Sequence, residues 1–443
     1  MRVHFISIGG AVMHNMALAL HNMGYKVTGS DDEIFEPALT RLQKEGLLPS
    51  KVGWDNTRIT TDLDFVILGM HARADNPELI AAKNLGLKIY SFPEYVYEHS
   101  KTKTRIVVGG SHGKTSTTAM IMHVLMRNAI DFDYVVGSQL EGFERMVKLS
   151  NAPIIIIEGD EYLTSALDLK PKFHWYKPHT AILTGIAWDH INVFPTYEMY
   201  VDQFKIFIDT IEPNGTLLYC NEDSDLVQLA QKASCAVMPY NVPDFTIQNG
   251  ITTIQSMGAN YPLEVFGKHN ILNLQAAMMA CRTIDIEESN FWNSVSDFKG
   301  AAKRLEKIKD TPTLKIFRDF AHSPSKLRAT VNAAIEQFNG FNIVGVFELH
   351  TFSSLNADFL KEYQGAMNGL NTAIVYYNSH VFELKKMEML DPDFVVQQFG
   401  SGVIVINDRN KLEESIKKSI NGKSILLLMS SGNFDGMEIN LVS

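Results

Sequence analysis

The sequence predicts an α/β protein of three domains: a Rossmann-like first domain, a central domain built on a phosphate loop, and a Rossmann-like third domain. Three observations carry this. Short apolar runs of strand length alternate with helical patterns along most of the 443 residues. A strand, a glycine-rich turn and a helix follow one another from Arg105 to Thr118. Polar clusters recur just past the apolar runs, where open parallel sheets place their ligands. The expected domains are residues 1–102, 103–300 and 301–443.

In the first domain, residues 3–8 (VHFISI) read as a strand, Gly9-Gly10 as a turn, Val12–Met23 as a helix and Tyr25–Thr28 as a second strand. The second strand closes on Gly29-Ser30-Asp31-Asp32, so this is a βαβ unit with an acid at its far end. A G-x-G-x-x-G reading puts Ser7, Gly9 and Val12 at the glycine positions, so only the middle one is met and an NAD site is not expected. Asp64–Leu68 and Ile89-Tyr90 are further strands. Ser91-Phe-Pro93 and the polar run His99–Thr104 read as the close of the domain and a linker.

The second domain opens with Ile106–Val108 and the turn G-x-x-G-K-T, Gly110 to Thr115. Glycines let backbone N–H groups crowd around a polyphosphate, and the helix start adds positive dipole. Lys114 can reach phosphates and the Thr115 hydroxyl can sit on Mg²⁺. Val108 stands where the full phosphate-loop pattern has its first glycine, so an ordinary glycine-rich turn stays open as the alternative. Pro153–Ile157 is a continuous apolar strand ending in Glu158-Gly-Asp-Glu161, whose carboxylates are Mg²⁺ candidates or a solvated acidic loop. Thr180–Thr184 leads to Gly185-Ile-Ala-Trp-Asp-His190; a histidine past a strand end is either structural or functional. A helix over Tyr197–Thr210 and a strand over Gly215–Cys220 follow. Residues 241–265 read as β-hairpin material, and Gly267–Asn273 opens a helix over Ile271–Thr283. Asn270 and Asn273 share a helical face and can address a base or ribose, unless Asn270 is simply an N-cap.

The third domain alternates strand and helix. Strands are expected at 314–319, 343–347, 373–377, 403–406 and 424–429, and helices at 325–338, 356–367 and 411–420. Polar clusters close three strands: Arg318–Pro324, Glu348–Thr351 and Ser430–Asn433.

Composition narrows the class. Hydrophobic residues are 45% and charged residues 20%, enough apolar material for sizeable cores. The net charge of −10 argues against a nucleic-acid partner or an anionic membrane surface. Cys220, Cys235 and Cys281 show no C-x-x-C spacing and read as buried thiols in a reducing compartment. The chain begins directly with a strand, and no apolar run approaches membrane-span length, so the expected setting is cytoplasmic.

GGSHGKTSTT (109–118), IIEGDE (156–161), the Asp189-His190 pair, GKHNILN (267–273), GAAKRLE (300–306) and DFAHSP (319–324) together resemble the Mur ligase family, ATP-dependent amide-forming enzymes of peptidoglycan synthesis. The resemblance covers essentially the whole chain, and the shortened phosphate loop is the form that family uses. HFISIGGAVM (4–13) resembles the UDP-sugar domain of the branch whose donor is UDP-N-acetylmuramate. Residues 27–47, Phe347-Glu348-Leu349 and residues 426–436 resemble members that add L-Ala-γ-D-Glu-meso-diaminopimelate; L-alanine is the alternative acceptor. Ser323 stands where both groups usually carry a second His, Gly185 where many members have Asn, and His350 where tripeptide-adding members have Arg.

The resemblance implies ATP and Mg²⁺ as cofactors and an acyl-phosphate intermediate. It assigns ATP contact to Gly110, Ser111, His112, Gly113, Lys114, Thr115 and Ser116, and charge screening to Lys114 and Arg304. A first Mg²⁺ falls to Thr115 and Glu158 and a second to His190. Asn270 and Asn273, with His269 beside them, would meet adenine; Asp319 would meet the ribose or its surroundings. His322 would lie near the γ-phosphate or the acceptor, and the UDP-sugar against Gly9, Gly10, Ser30, Asp31 and His71. Lys205 is the nearest candidate by position to the carbamoylated lysine of several relatives. Closure of the domains is expected to assemble the site. Two other readings are a muropeptide- or UDP-sugar-binding sensor with this fold, and an NAD-dependent dehydrogenase.

Overall fold

A computed structural model describes residues 1–70, 72–140, 142–165, 167–188 and 193–437. The polypeptide separates into two compact units. One holds Met1–Asn241 and Leu272–Ser294; the other holds Val242–Ile271 and Val295–Ser443.

The first unit begins with β1 (Arg2–Ile6), α1 (Ala11–Asn22), β2 (Lys26–Ser30), α2 (Ala38–Lys44), β3 (Phe65–Leu68), α3 (Pro77–Asn84), β4 (Lys88–Ser91) and α4 (Phe92–Ser100). The strands form a parallel sheet in the order β2-β1-β3-β4. Helix α4 occupies a stretch that reads as a linker. Ser91 accepts the Glu94 N–H through its side chain while the Glu94 carboxylate accepts the Ser91 N–H, a reciprocal cap that starts a helix there.

A second sheet follows, from β5 (Thr104–Gly109), α5 (Lys114–Arg127), β6 (Phe132–Val135), β7 (Val147–Lys148), β8 (Ile154–Glu158), β9 (Thr180–Leu183), α6 (Tyr197–Asp209), β10 (Thr216–Cys220), α7 (Ser224–Ala230) and β11 (Ala236–Tyr240). Its order is β11-β10-β9-β5-β8-β6-β7, parallel except for β6 against β7. Strand β5 runs between β8 and β9, with Val108 opposite Glu158 and Gly109 opposite Leu183. Ile106, Val107, Val108, Ile155, Ile156 and Ile157 are all buried, as strands covered on both faces require. The glycine-rich turn, the carboxylates past β8 and the loop past β9 therefore emerge at the same end of three adjacent strands.

In the second unit β12 (Phe245–Gln248), β13 (Ile251–Ser256) and β14 (Ala259–Leu263) form an antiparallel sheet, and Thr252 and Gly250 are hydrogen-bonded to Gln337. Helix α8 (Lys268–Arg282) begins three residues before the expected Ile271; from Leu272 it belongs to the first unit, as does α9 (Glu288–Val295) up to Ser294. Then come β15 (Glu306–Asp310), β16 (Leu314–Asp319), α10 (Pro324–Gln337), β17 (Asn342–Glu348), β18 (Thr372–Tyr376), α11 (Ser379–Lys385), α12 (Pro392–Phe399), β19 (Val403–Ile406), α13 (Arg409–Ser419) and β20 (Ser424–Met429). The sheet order is β15-β16-β20-β17-β18-β19, with β15 antiparallel to β16 and the rest parallel. The helix expected over 356–367 is replaced by turns and one 3₁₀ segment, Leu360–Tyr363, and Gly365 beyond it takes φ +68°, which no α-helix continues through. Among the described residues no helix is long and apolar enough to cross a membrane.

Buried charge ties the first unit together. The Lys103 ammonium, 6% exposed, donates to Asp133 (2.7 Å) and to the carbonyls of Ser150 and Ala152 (both 2.8 Å). Lys103→Ala leaves the buried Asp133 with only the Ser150 hydroxyl (2.6 Å) and His99 (3.3 Å), with an expected loss of roughly 3 kcal/mol. Lys148→Ala, which breaks an exposed pair with Asp131, is expected to leave the melting temperature nearly unchanged. Thermal melts of the two variants check the contrast.

Candidate active site

The turn between β5 and α5 is shaped by close approach to β9. Gly110 has φ +127°, and a Cβ there would lie 2.2 Å from Thr184 Oγ1. Gly113 has φ +79°, and a Cβ there would lie 2.4 Å from Asn273 Oδ1. Neither position accepts a side chain without displacing its neighbour. The Thr184 hydroxyl donates to the His112 carbonyl, and the Ser111 N–H donates to the Gly185 carbonyl at 2.9 Å. The turn is thereby stitched to the loop beyond β9.

Helix α5 begins at Lys114, which places its side chain and those of Thr115 and Ser116 in the first turn. Lys114 donates to the Gly110 carbonyl and to Glu161 Oε2, both at 2.7 Å. Burial disfavours the ammonium, but Glu161, Asp160 and Glu158 outweigh it and hold Lys114 above the usual lysine range. The Thr115 hydroxyl donates to Glu158 Oε1 at 2.7 Å, and the Gly137 N–H donates to Oε2 at 2.9 Å. Burial and the nearby Asp160 push the Glu158 carboxyl up, against those two bonds and Lys114. A hydroxyl and a carboxylate in mutual contact are hard oxygen donors suited to Mg²⁺. Among the described residues no group of three or more His, Cys, Asp or Glu could hold a metal by itself.

The first sheet carries a second polar cluster. The Gly9 N–H donates to Asp31 Oδ2 at 2.6 Å, and the Asp32 N–H to Oδ1 at 3.0 Å. The Ser30 carbonyl accepts the N–H groups of Ser7 and Ile8 at 2.9 and 3.0 Å. Ser30 Oγ donates to Glu78, which also meets His4 at 3.3 Å and the Asp55 N–H at 2.9 Å. Gly9, Gly10, Ser30 and Asp31 thus lie around one turn. Burial pushes the Asp31 carboxyl up to about 6, against the Gly9 hydrogen bond.

The second unit holds a third cluster. Asp319 ends β16 and is 7% exposed; it accepts from the N–H groups of Ala321 (2.8 Å) and Leu305 (2.7 Å) and from the Thr330 hydroxyl (3.1 Å). Its carboxylate therefore fixes the turn that carries Arg304. The Arg304 guanidinium lies over the Phe320 ring at 4.8 Å, and His322 meets the same ring edge-on at 5.1 Å. His322 Nδ1 is 2.8 Å from the Phe320 carbonyl. Burial pulls His269 below the ordinary imidazole range, opposed by the Asp319 carboxylate. Asn270 Nδ2 donates to the Phe266 carbonyl at 2.9 Å, so this amide turns back onto the helix start instead of capping it through its oxygen.

The structure brings together Gly110–Ser116 and Glu158, with Asn273 against Gly113. It gathers Gly9, Gly10, Ser30 and Asp31 separately, and Arg304, Asp319 and His322 with His269 nearby in the other unit. His71 and His190 lie outside the described residues. Lys205 is exposed on α6. Sequence reasoning passed over Glu161 as an individual and over Tyr200. Glu161 was visible within the acidic run past β8. Tyr200 belongs to the buried face of α6 with Phe204, Phe207 and Ile208, and nothing in that apolar period signals a polar role.

Comparison with known proteins adds to this geometry. Residues 2–104 match the model of the Mur ligase family, catalytic domain, and residues 108–281 that of the Mur ligase middle domain. A UDP-N-acetylmuramate–L-alanine ligase of Clostridium kluyveri is 30% identical over 388 residues, covering 84% of this chain and 82% of that protein. The crystal structure of a murein peptide ligase from Psychrobacter arcticus superposes with a TM-score of 0.65 at 22% identity, covering 100% of this chain and 98% of that one. The UDP-N-acetylmuramate–alanine ligase of Thermotoga maritima gives 0.70 at 22% identity, covering 98% and 97%.

With its folded pKa raised to about 6, Asp31 contributes stability that is full below about pH 4 and is lost as pH rises through about 6. Asp31→Asn removes that dependence. The difference in melting temperature between wild type and D31N is expected to move against the wild type between about pH 4 and about pH 7. Melts across that range test it; a pH-independent difference would contradict the assignment.

Proposed function

Because the chain belongs to the Mur ligase family of ATP-dependent amide ligases, we propose that it joins the lactyl carboxylate of UDP-N-acetylmuramate to the free amine of a peptide acceptor, releasing ADP and phosphate. The observation that carries the ATP half of this reading is the meeting of Lys114, Thr115 and Glu158 at one end of β5 and β8.

A carboxylate is a poor electrophile, and phosphorylation supplies it with a leaving group. The donor carboxylate attacks the γ-phosphorus of ATP, the bond to ADP breaks, and an acyl-phosphate forms. The acceptor amine then attacks the acyl carbon, and phosphate leaves from the tetrahedral intermediate. Two anions must be screened and held in line for the first step. The backbone N–H groups of Gly110–Ser116 would cradle the phosphates, and Lys114 and Arg304 would screen their charge. Thr115 and Glu158 would hold a first Mg²⁺, which when bound neutralises phosphate charge; His190 would hold a second. Asn270, Asn273 and His269 would address adenine. Asp319 would act near the ribose, at least through the turn it fixes, and His322 near the γ-phosphate or acceptor. Gly9, Gly10, Ser30, Asp31 and His71 would line the UDP-sugar site. Asp31 would then meet the nucleotide sugar with a carboxylate already bonded to the turn.

For the acceptor we favour L-Ala-γ-D-Glu-meso-diaminopimelate. Its support is the loop after β20, the stretch that resembles tripeptide-adding enzymes. Glu348, 3% exposed, accepts the Ser430 hydroxyl and the Phe434 N–H (3.0 Å), and Ser431 Oγ lies 3.4 Å from His350 Nδ1. That gathers the ends of β17 and β20 into one polar surface. A second reading, L-alanine, is favoured by the named activity of the Clostridium kluyveri relative.

Phosphate release with UDP-N-acetylmuramate plus either acceptor separates the two. Release with the tripeptide is expected; release with L-alanine alone would reject the preferred acceptor. Lys114→Ala is expected to lower turnover by about 100-fold or more with whichever acceptor works.

A further inference from the structure

Glu161 lies past the end of β8, three residues beyond Glu158, and its side chain is 2% exposed. Its two oxygens face different partners. Oε2 accepts the Lys114 ammonium at 2.7 Å, and Oε1 accepts the Tyr200 hydroxyl at 3.3 Å. The Tyr200 hydroxyl also lies 2.8 Å from Ser111 Oγ, and Ser111 Oγ accepts the Ala187 N–H at 2.9 Å. A carboxylate only accepts, so the Tyr200 proton points to Glu161 and the Ser111 proton points to Tyr200. The bonds form one directional chain: Ala187 N–H to Ser111, Ser111 to Tyr200, Tyr200 to Glu161, with Lys114 closing onto the same carboxylate.

An ammonium on a four-carbon stem is a mobile donor with three N–H groups. Lys114 gives one to the Gly110 carbonyl and one to Glu161. A simple counter-ion would need only the ion pair. Here the counter-ion is itself oriented by a tyrosine on α6, and that tyrosine is oriented by a serine of the phosphate-binding turn.

We propose that Glu161 is a positioning residue that aims the remaining N–H of Lys114 at the transferring phosphoryl group, and that Tyr200 and Ser111 hold Glu161 in that pose. The proposal rests on the ATP-ligase reading and extends it. Orientation acts on the chemical step more than on nucleotide affinity, because misaiming by a fraction of an ångström costs rate before it costs binding.

The test measures kcat by phosphate release and ADP–Mg²⁺ affinity by calorimetry, on the full chain. Glu161→Ala is expected to lower kcat by about 100-fold while ADP affinity stays within about threefold. Glu161→Gln keeps the size and an accepting oxygen, so it is expected to recover at least about tenfold over the alanine variant. Tyr200→Phe, which keeps the ring packing, is expected to lower kcat about fivefold or more with unchanged ADP affinity, and serves if Glu161→Ala does not fold. Loss of ADP affinity in step with kcat, an unchanged kcat in E161A or Y200F, or no recovery in E161Q would each overturn the assignment. Absence of ADP binding by the wild type would instead overturn the ATP reading, and this assignment with it.

Discussion

An ammonium removed from water must meet an anion, and the Lys114–Glu161 pair answers that constraint at the point where the first unit's chemistry converges. The pair exists because β5 and β8 are neighbours in register, so the turn after one and the acidic run after the other leave the sheet together. Thr184 and Gly185 press in from β9 on the other side. The turn is short because it is bounded by strand ends on both flanks, and its glycines are the positions with no room for a Cβ.

The other buried charges of this unit do different work. Lys103 meets Asp133 and two carbonyls, and the Arg105 guanidinium donates to carbonyls of Ser100, Lys101, Tyr176 and Lys177 as well as to Glu212. These groups hold the segment between α4 and β5 against the second sheet with directional bonds. Lys103 and Arg105 spend most of their N–H groups on backbone carbonyls, which marks them as structural. The charges at the glycine-rich turn differ because their surroundings are arranged in a chain that ends on a lysine tip.

In the second unit the carboxylates Asp319 and Glu348 close β16 and β17, the two strands that flank β20. Asp319 gathers the turn carrying Arg304, and Glu348 gathers the loop after β20. Both are nearly fully buried, and both spend their lone pairs on backbone N–H groups and hydroxyls. They therefore set the shape of the polar end of that sheet and position the groups around it, such as Arg304 and Ser431.

By itself the sequence determined what local chemistry can encode. Apolar runs such as Ile154–Ile157 and Ile425–Met429 identify buried parallel strands, because both faces are covered and every residue must be apolar. The G-x-x-G-K-T turn and the carboxylates after a strand were legible because their residue types and spacing are local, and the ordered set of motifs carried the family. Short or polar edge elements escaped: β15 reads EKIKD and β11 is largely exposed, so neither shows a burial period. Helix α4 was hidden in a stretch containing proline, and the segment 356–367 forms turns and a 3₁₀ segment instead of the expected helix. Only the tertiary structure decided which strand ends are neighbours, and hence that Glu161 meets Lys114 and Tyr200 meets both Glu161 and Ser111. Tyr200 is 89 residues from Ser111 and sits on an apolar helix face, so no local pattern records the contact; it exists because packing of α6 brings that one hydroxyl to the turn.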